Sequence, residues 1–289
     1  MKLSAAVRLN HLSLCLLLSP VLVFEASAQA GEYDLNAYSF TAESALQWKL
    51  AKRIREISGL TTTSDDRVWG HDDEWGIIYQ IDYVEGELTK AFAFGYPTAR
   101  ADFEGIASAH GRFYLVDSDG RIYEGSEGDN DERVLYNTYE TRIGMKCEVE
   151  GLEYEPAENA LLLLCKNPRV RELEGYVAIF RWSLDQRAVM ENTTLLQIDA
   201  LAIDAEGKER FQPSGIARNP STGTYFVIAA RQNAIAEVTL QGEVLAVGLL
   251  PKGVYRQVEG ITFASETTLL IADEGGDKKA RLTLYRPSR

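Results

Sequence analysis

The chain has 289 residues and carries 43 Asp and Glu against 30 Lys and Arg, a formal charge of −13. Such acidity repels phosphate backbones and anionic headgroups, so it excludes nucleic acid as a partner and favours cations or neutral and basic ligands. Hydrophobic residues make up 45% and charged residues 25%, the balance of a globular protein able to bury a substantial core.

At the N-terminus, Lys2 and Arg8 precede an apolar run over residues 12–24 that is too short to span a bilayer comfortably. Ala26-Ser27-Ala28 and Ala28-Gln29-Ala30 are small-x-small sites. Residues 1–28 therefore read as a signal peptide cleaved after residue 28 or 30, and the mature protein as periplasmic or secreted. An uncleaved segment acting as a membrane anchor is the alternative. Cys15 follows Leu14 rather than a small residue, which argues against a lipoprotein site. No later stretch is long and apolar enough for a transmembrane segment. Residues 29–44 form an N-terminal lead, and residues 45–289 a single domain.

That domain is organised by a repeated Xaa-Gly-Ile/Leu motif. The copies are Ser58-Gly59-Leu60, Glu104-Gly105-Ile106, Glu150-Gly151-Leu152, Ser214-Gly215-Ile216 and Glu259-Gly260-Ile261, with glycine spacings of 46, 46, 64 and 45 residues. A period in this range, with one cluster of short strands per period, is the mark of a β-propeller blade. Residues 45–54 predict a strand before the first motif. The first repeat predicts strands over 59–62, 67–70, 77–81 and 88–94, and the second over 106–107, 113–116, 121–123 and 134–139. The third predicts 152–154, 161–165, 177–182 and 195–198, and the fourth 216–217, 225–229, 235–240 and 244–249. The fifth has only 261–263, 269–271 and 282–285, one strand short. The spare N-terminal strand supplies it, giving an all-β, five-bladed propeller closed on itself without open sheet edges. Six blades are the alternative, with the extra blade hidden in the 64-residue interval; otherwise that interval lengthens two loops, 167–175 and 205–212. The acidic run 126–132 lacks the alternation of a calcium loop and reads as a solvated connection.

Each motif opens the innermost strand of its blade, so its first residue points at the propeller axis. Glu104, Glu150 and Glu259 in one ring repel one another unless paired or bound to a cation, and calcium favours such oxygen ligands. Ser58 and Ser214 complete the ring as neutral groups. Pairing of the glutamates with Lys166 and Arg231, simply holding the blades together, is the competing reading. A second ring follows the second strand of each blade and holds His71-Asp72-Asp73, Asp117-Ser118-Asp119, Lys166, Arg231 and Asp273-Glu274. His71 with Asp72 could form a general-base pair. Only His71 and His110 lie beyond the signal segment, which excludes a three-histidine zinc site, and neither a nucleophile elbow nor a phosphate loop occurs. Cys147 and Cys165 flank the third motif and its hairpin partner, about one diagonal off register. An oxidising compartment allows them to form a disulfide; two buried free thiols are the other possibility.

The blocks Glu56-Ile57-Ser58-Gly59-Leu60, Trp69-Gly70-His71-Asp72-Asp73, Asp102-Phe103-Glu104-Gly105-Ile106 and Glu148-Val149-Glu150-Gly151-Leu152 resemble the SdiA-regulated domain family of YjiK type. Pro213-Ser214-Gly215-Ile216, Glu259-Gly260-Ile261 and Ile271-Ala272-Asp273-Glu274 extend the likeness over residues 48–285. The resemblance implies a five-bladed propeller distantly related to NHL-repeat propellers, exported or envelope-associated, with a calcium site and no assigned activity. By matching motif, calcium is carried onto Glu104, Glu150 and Glu259, with Asp72 and Asp273 as further ligands. The expected protein is a monomeric, non-catalytic module that binds calcium and presents its channel face to a small molecule or an envelope protein. The alternative is a calcium-dependent hydrolase of lactones or esters, with His71 or Asp72 as base.

Overall fold

The computed structural model describes residues 33–201 and 210–288, so the expected signal peptide and its cleavage sites lie outside the described residues, as do positions 205–209 of the second long loop. Five sheets, antiparallel except for one added parallel strand, form the five blades of a β-propeller. Blade 1 is Ile57–Thr62, Val68–Asp72, Ile77–Asp82 and Glu87–Phe94; blade 2 is Phe103–Ala109, Arg112–Asp117, Arg121–Ser126 and Tyr136–Glu140. Blade 3 is Cys147–Glu155, Ala160–Pro168 and Tyr176–Ser183, with two short outer strands, Ala188–Val189 and Thr194–Gln197, both on Tyr176–Ser183. Blade 4 is Gly215–Arg218, Tyr225–Ala229, Ala234–Val238 and Val244–Leu249. Blade 5 is Val258–Phe263, Leu269–Asp273 and Arg281–Tyr285, and the N-terminal strand Leu46–Lys49 adds to its outer edge in the register Leu46↔Leu284 to Lys49↔Arg281. The long third interval builds no sixth blade among the described residues. Its extra length goes into the doubled outer strand of blade 3 and the 3-10 turns Arg171–Leu173 and Ile198–Leu201.

Two predicted strands are corrected. The closing strand is shorter than 45–54, because the chain leaves the sheet at Leu50 and turns through Lys52–Ile54, burying Leu50 and Ile54 completely. The expected strand 134–139 is divided between two blades: Arg133–Val134 runs parallel to Ala93–Phe94 of blade 1, and Tyr136–Glu140 then joins blade 2. The division satisfies the open edge of blade 1, where Ala93 N donates to Glu132 O at 2.9 Å and Gly95 N to Val134 O at 2.8 Å.

Five apolar clusters hold the molecule together, one at each junction between neighbouring blades. A strand packed on both faces must be apolar without alternation. Leu161, Leu162, Leu163 and Leu164 show this, all fully buried, with alternate residues serving the clusters on either side. The lead is strapped onto blades 4 and 5. Leu35 N donates to Glu237 Oε2 at 2.8 Å, Asn219 Nδ2 donates to Tyr33 O at 2.8 Å, and Tyr38 bridges to Pro287.

The motif glycines sit where inner strands of neighbouring blades approach most closely. A Cβ on Gly105 would lie 2.5 Å from Leu152 N; one on Gly215 would lie 2.9 Å from Glu259 O, and one on Gly260 would lie 2.9 Å from Leu60 Cγ. The Ile or Leu that follows each glycine, Leu60, Ile106, Leu152, Ile216 and Ile261, is buried and leaves only about 10 Å³ on the axis at this level. That is at or below the room one water needs. The axis is therefore plugged, and the two ends of the propeller carry separate cavities.

Candidate functional site

The ring residues reach the axis through β-bulges. In blades 1, 2 and 5 the pairs Ile57↔Asp72 and Gly59↔His71, Phe103↔Asp117 and Gly105↔Val116, and Val258↔Asp273 and Gly260↔Ala272 leave Ser58, Glu104 and Glu259 as the extra residues. A bulge frees one residue from the ladder and re-aims its side chain. In blade 3, Val149↔Cys165 and Leu152↔Leu163 place Glu150 and Gly151 opposite Leu164 alone. A second irregularity there, between Cys147↔Pro168 and Val149↔Cys165, swings Lys166 and Asn167 inward. Lys166 Nζ donates to Glu150 Oε1 at 2.8 Å and Asn167 Nδ2 to Glu148 Oε2 at 2.5 Å.

The result is a cavity of about 200 Å³ at the end of the axis where the inner strands begin. Eight carboxylates line it, Glu56, Asp73, Asp102, Glu104, Glu148, Glu150, Glu259 and Glu274, against the one ammonium of Lys166; Ser58 and Gln257 complete the wall. Burial, and then repulsion from Glu150, Asp102 and Glu259, pushes the Glu104 carboxyl far above the ordinary range. Burial also raises Glu150, where Lys166 opposes the shift, and lifts Glu259 to about 8. Asp73 rises to about 7 through burial and the neighbouring charges of Asp72 and Glu56. The cavity thus holds more carboxyl groups than its single lysine can neutralise, and the most strongly raised of them keep their protons near neutral pH.

Glu104, Glu150 and Glu259, with Ser58 and Lys166, share this cavity as the motif spacing implies. Among the described residues, however, the acids whose oxygens all lie within 4.8 Å of one another are Glu56, Asp72 and Asp73, of which Glu56 and Asp73 line the blade 1 side of its wall. Asp72 Oδ1 accepts from the backbone N–H groups of Glu74 and Trp75 at 3.1 and 3.0 Å. Asp73 Oδ1 is buried with no hydrogen-bond partner. Two ligands of one calcium ion, each about 2.4 Å away, lie no more than about 4.8 Å apart, so the trio fits such an ion by spacing, by donor type and by its orphaned oxygen.

Other expected site residues have different work. Asp273 is buried and fully committed: Oδ1 accepts from the Arg256 and Gln257 N–H groups at 2.5 and 2.7 Å, and Oδ2 from Arg281 Nη2 and Nε at 2.6 and 2.9 Å. Ser214 Oγ stitches blade 4 to blade 5, donating to Val258 O at 2.6 Å and accepting from Ala230 N at 3.1 Å. Arg231 is exposed and is not part of the acidic wall. His71 is fully buried, its Nδ1 lies 3.0 Å from Asp72 O, and burial pushes it down to about 4. Cys147 and Cys165 form a disulfide, with Cα atoms 5.8 Å apart.

Sequence reasoning missed Glu56, Asp102, Glu148 and Gln257 as cavity residues, although a signal was present. Each lies three residues before its motif glycine, and Gln212 occupies the same position in the fourth repeat. The period of a strand puts that position on the same face as the ring residue two places later.

No protein-family model matches the chain, and no curated protein matches it. Solved structures do. Glutaminyl cyclase from Myxococcus xanthus is similar with a TM-score of 0.55 and 13% identity, over 84% of this chain and 97% of that one. The PQQ-bound aldose sugar dehydrogenase from Streptomyces coelicolor is similar with a TM-score of 0.53 and 13% identity, over 83% and 98%. A Bacteroides caccae protein of unknown function gives a TM-score of 0.44 at 17% identity over 71% of this chain, and the match spans 64% of that protein's length. At such identities the likeness is one of fold, the β-propeller.

Proposed function

We propose that the protein is an exported, calcium-binding β-propeller of the SdiA-regulated type, a non-catalytic module that offers its acidic end to a ligand or an envelope protein. The observation that carries this reading is the cavity in which eight carboxylates face a single lysine. Ionising so many crowded, largely buried carboxyls together is costly, and a divalent cation relieves that cost. Glu56, Asp72 and Asp73 would hold the ion, and Glu104, Glu150 and Glu259 would supply the surrounding negative field. Calcium needs six to eight oxygen ligands, which carboxylates, backbone carbonyls and water can provide. The disulfide fits an oxidising compartment. The five Gly-Ile/Leu motifs and their flanking acids support the family assignment. Against the hydrolytic alternative with His71 as base stands its complete burial, which keeps the ring away from solvent and from any substrate in the cavity.

The test is a thermal melt of the mature protein after chelation, with and without added calcium. Saturation at about 100 times the dissociation constant stabilises the fold by about 2.7 kcal/mol. The expected result is an upward shift that calcium produces, that magnesium produces weakly, and that Asp73→Asn abolishes. Absence of a shift in the parent protein refutes the cation site.

A further inference from the structure

We infer that the opposite end of the propeller carries a second, independent ligand site that takes a neutral saccharide. The connections between first and second strands of blades 1, 2 and 3, with Arg218 of blade 4, enclose a cavity of about 700 Å³ there. An adjoining cavity of about 270 Å³ shares Thr62, Glu153 and Arg218 with it. Sites for small organic molecules commonly have volumes of about 300–1,000 Å³. The apolar plug on the axis separates this end from the acidic cavity, so the two do not compete for one ligand.

The lining defines the chemistry. Its strongest charges are already spent on one another: Arg67 holds Glu127 with Nη1 and Nη2 at 2.7 and 2.8 Å and Asp65 with Nε at 2.7 Å. Thr63 Oγ1 also donates to Asp65 at 2.6 Å. Glu153 accepts from the Tyr154 and Arg218 N–H groups at 2.8 and 3.2 Å, and burial pushes its carboxyl up to about 7. Lys90 also holds Glu127, and the Arg218 guanidinium lies 3.8 Å from Glu155 (Nε to Oε2), so each cation of the lining has a carboxylate beside it and the site has little to offer an anion. It does offer planar carboxylate and guanidinium edges with fixed orientation beside the hydroxyls of Thr62 and Ser108. Vicinal hydroxyls of a sugar pair with such edges, and fixed geometry lowers the entropy lost on binding.

A ring platform stands at the same wall. His110 Nε2, Tyr154 Oη and Asn159 Oδ1 form a triangle with sides of 2.8, 3.1 and 3.1 Å, and the two rings meet edge to face with centroids 5.6 Å apart. His110 projects from a turn in the left-handed region, φ 51°, a conformation that glycine adopts more easily. A large, exposed ring at a position suited to glycine offers an apolar face for the C–H side of a sugar.

The experiment is titration calorimetry of the mature protein with linear trisaccharides of glucose, mannose, galactose, xylose and N-acetylglucosamine, and with one acidic and one basic tripeptide. Saturable binding of at least one trisaccharide is expected. His110→Gly, which eases the backbone and removes the ring, should weaken it by about tenfold or more without lowering the melting temperature. Tyr154→Phe, which keeps the ring and opens the triangle, should weaken it less. Chelation and Glu104→Gln should leave it unchanged, so failure of the calcium reading and failure of this one are distinguishable. No saturable heat with any trisaccharide overturns the inference. So does sugar binding that His110→Gly leaves intact, or binding of the tripeptides alone.

Discussion

At the scale of single residues, ring position and chemical role separate. Glu104, Glu150 and Glu259 were legible as axial because each opens the same repeated motif, whereas Ser214 at the equivalent place turns to the Val258 carbonyl and leaves the axial wall. Lys166 lines the cavity and Arg231 does not, because only blade 3 has a second irregularity that swings its lysine inward. The raised carboxyls carry a consequence for stability. An unfolded glutamate titrates near about 4.3. Glu259 in the fold titrates at about 8, and Glu104 and Glu150 are shifted upward as well. Between those values the folded state binds more protons than the unfolded one, so rising pH favours unfolding. In the presence of a chelator the protein should therefore lose stability progressively from about pH 5 to about pH 8, measured as urea midpoints. Glu104→Gln removes one such group and should flatten the profile. A variant profile parallel to that of the parent would refute the coupling.

At the scale of elements, the motif glycines explain why the inner strands stand so close. A Cβ at position 105 meets backbone at 2.5 Å, whereas at position 151 the nearest atoms are side-chain carbons at 3.3 and 3.4 Å. Backbone cannot yield as a side chain can. Gly105→Ala should cost about 3 kcal/mol in equilibrium urea unfolding and Gly151→Ala less than about 1.5 kcal/mol. Equal costs would show that the close approach is not what the glycine serves. Most strand identities were legible because turn residues punctuate apolar runs. The division of the strand around Val134 was not, since Arg133–Val134 is recruited by the open edge of blade 1, a partner about 40 residues away in sequence.

At the scale of the whole molecule, closure depends on Leu46–Lys49 covering the outer edge of blade 5. Deleting residues 33–49 removes this strand and the strap that carries Leu35 and Tyr38 into the apolar cluster between blades 4 and 5. The unpaired edge of Arg281–Tyr285 should then drive self-association, seen as early-eluting species in size-exclusion chromatography. Elution at the parent volume would show that closure does not require the strand. Beyond closure, the plugged axis divides the molecule into an acidic end and an opposite end with its own cavity, and the two do not communicate along the axis.

By itself the sequence favoured five blades over six, identified the closing strand, offered the pairing of Cys147 with Cys165 as one open option, and placed three glutamates on the axis. These follow from local rules: a repeat period, turn residues that punctuate short apolar strands, and one motif that opens each inner strand. Only the tertiary structure decided which acids converge, which are already held by arginine, and which basic residue enters the ring. Convergence of Glu56 with Asp72 and Asp73 depends on the twist and register of paired strands, and the commitment of Asp273 to Arg281 on a neighbouring strand. The cavity beside His110, Tyr154 and Arg218 likewise exists only once loops from separate blades surround one axis. Distances between residues far apart in the chain are set by packing, and no local pattern encodes them.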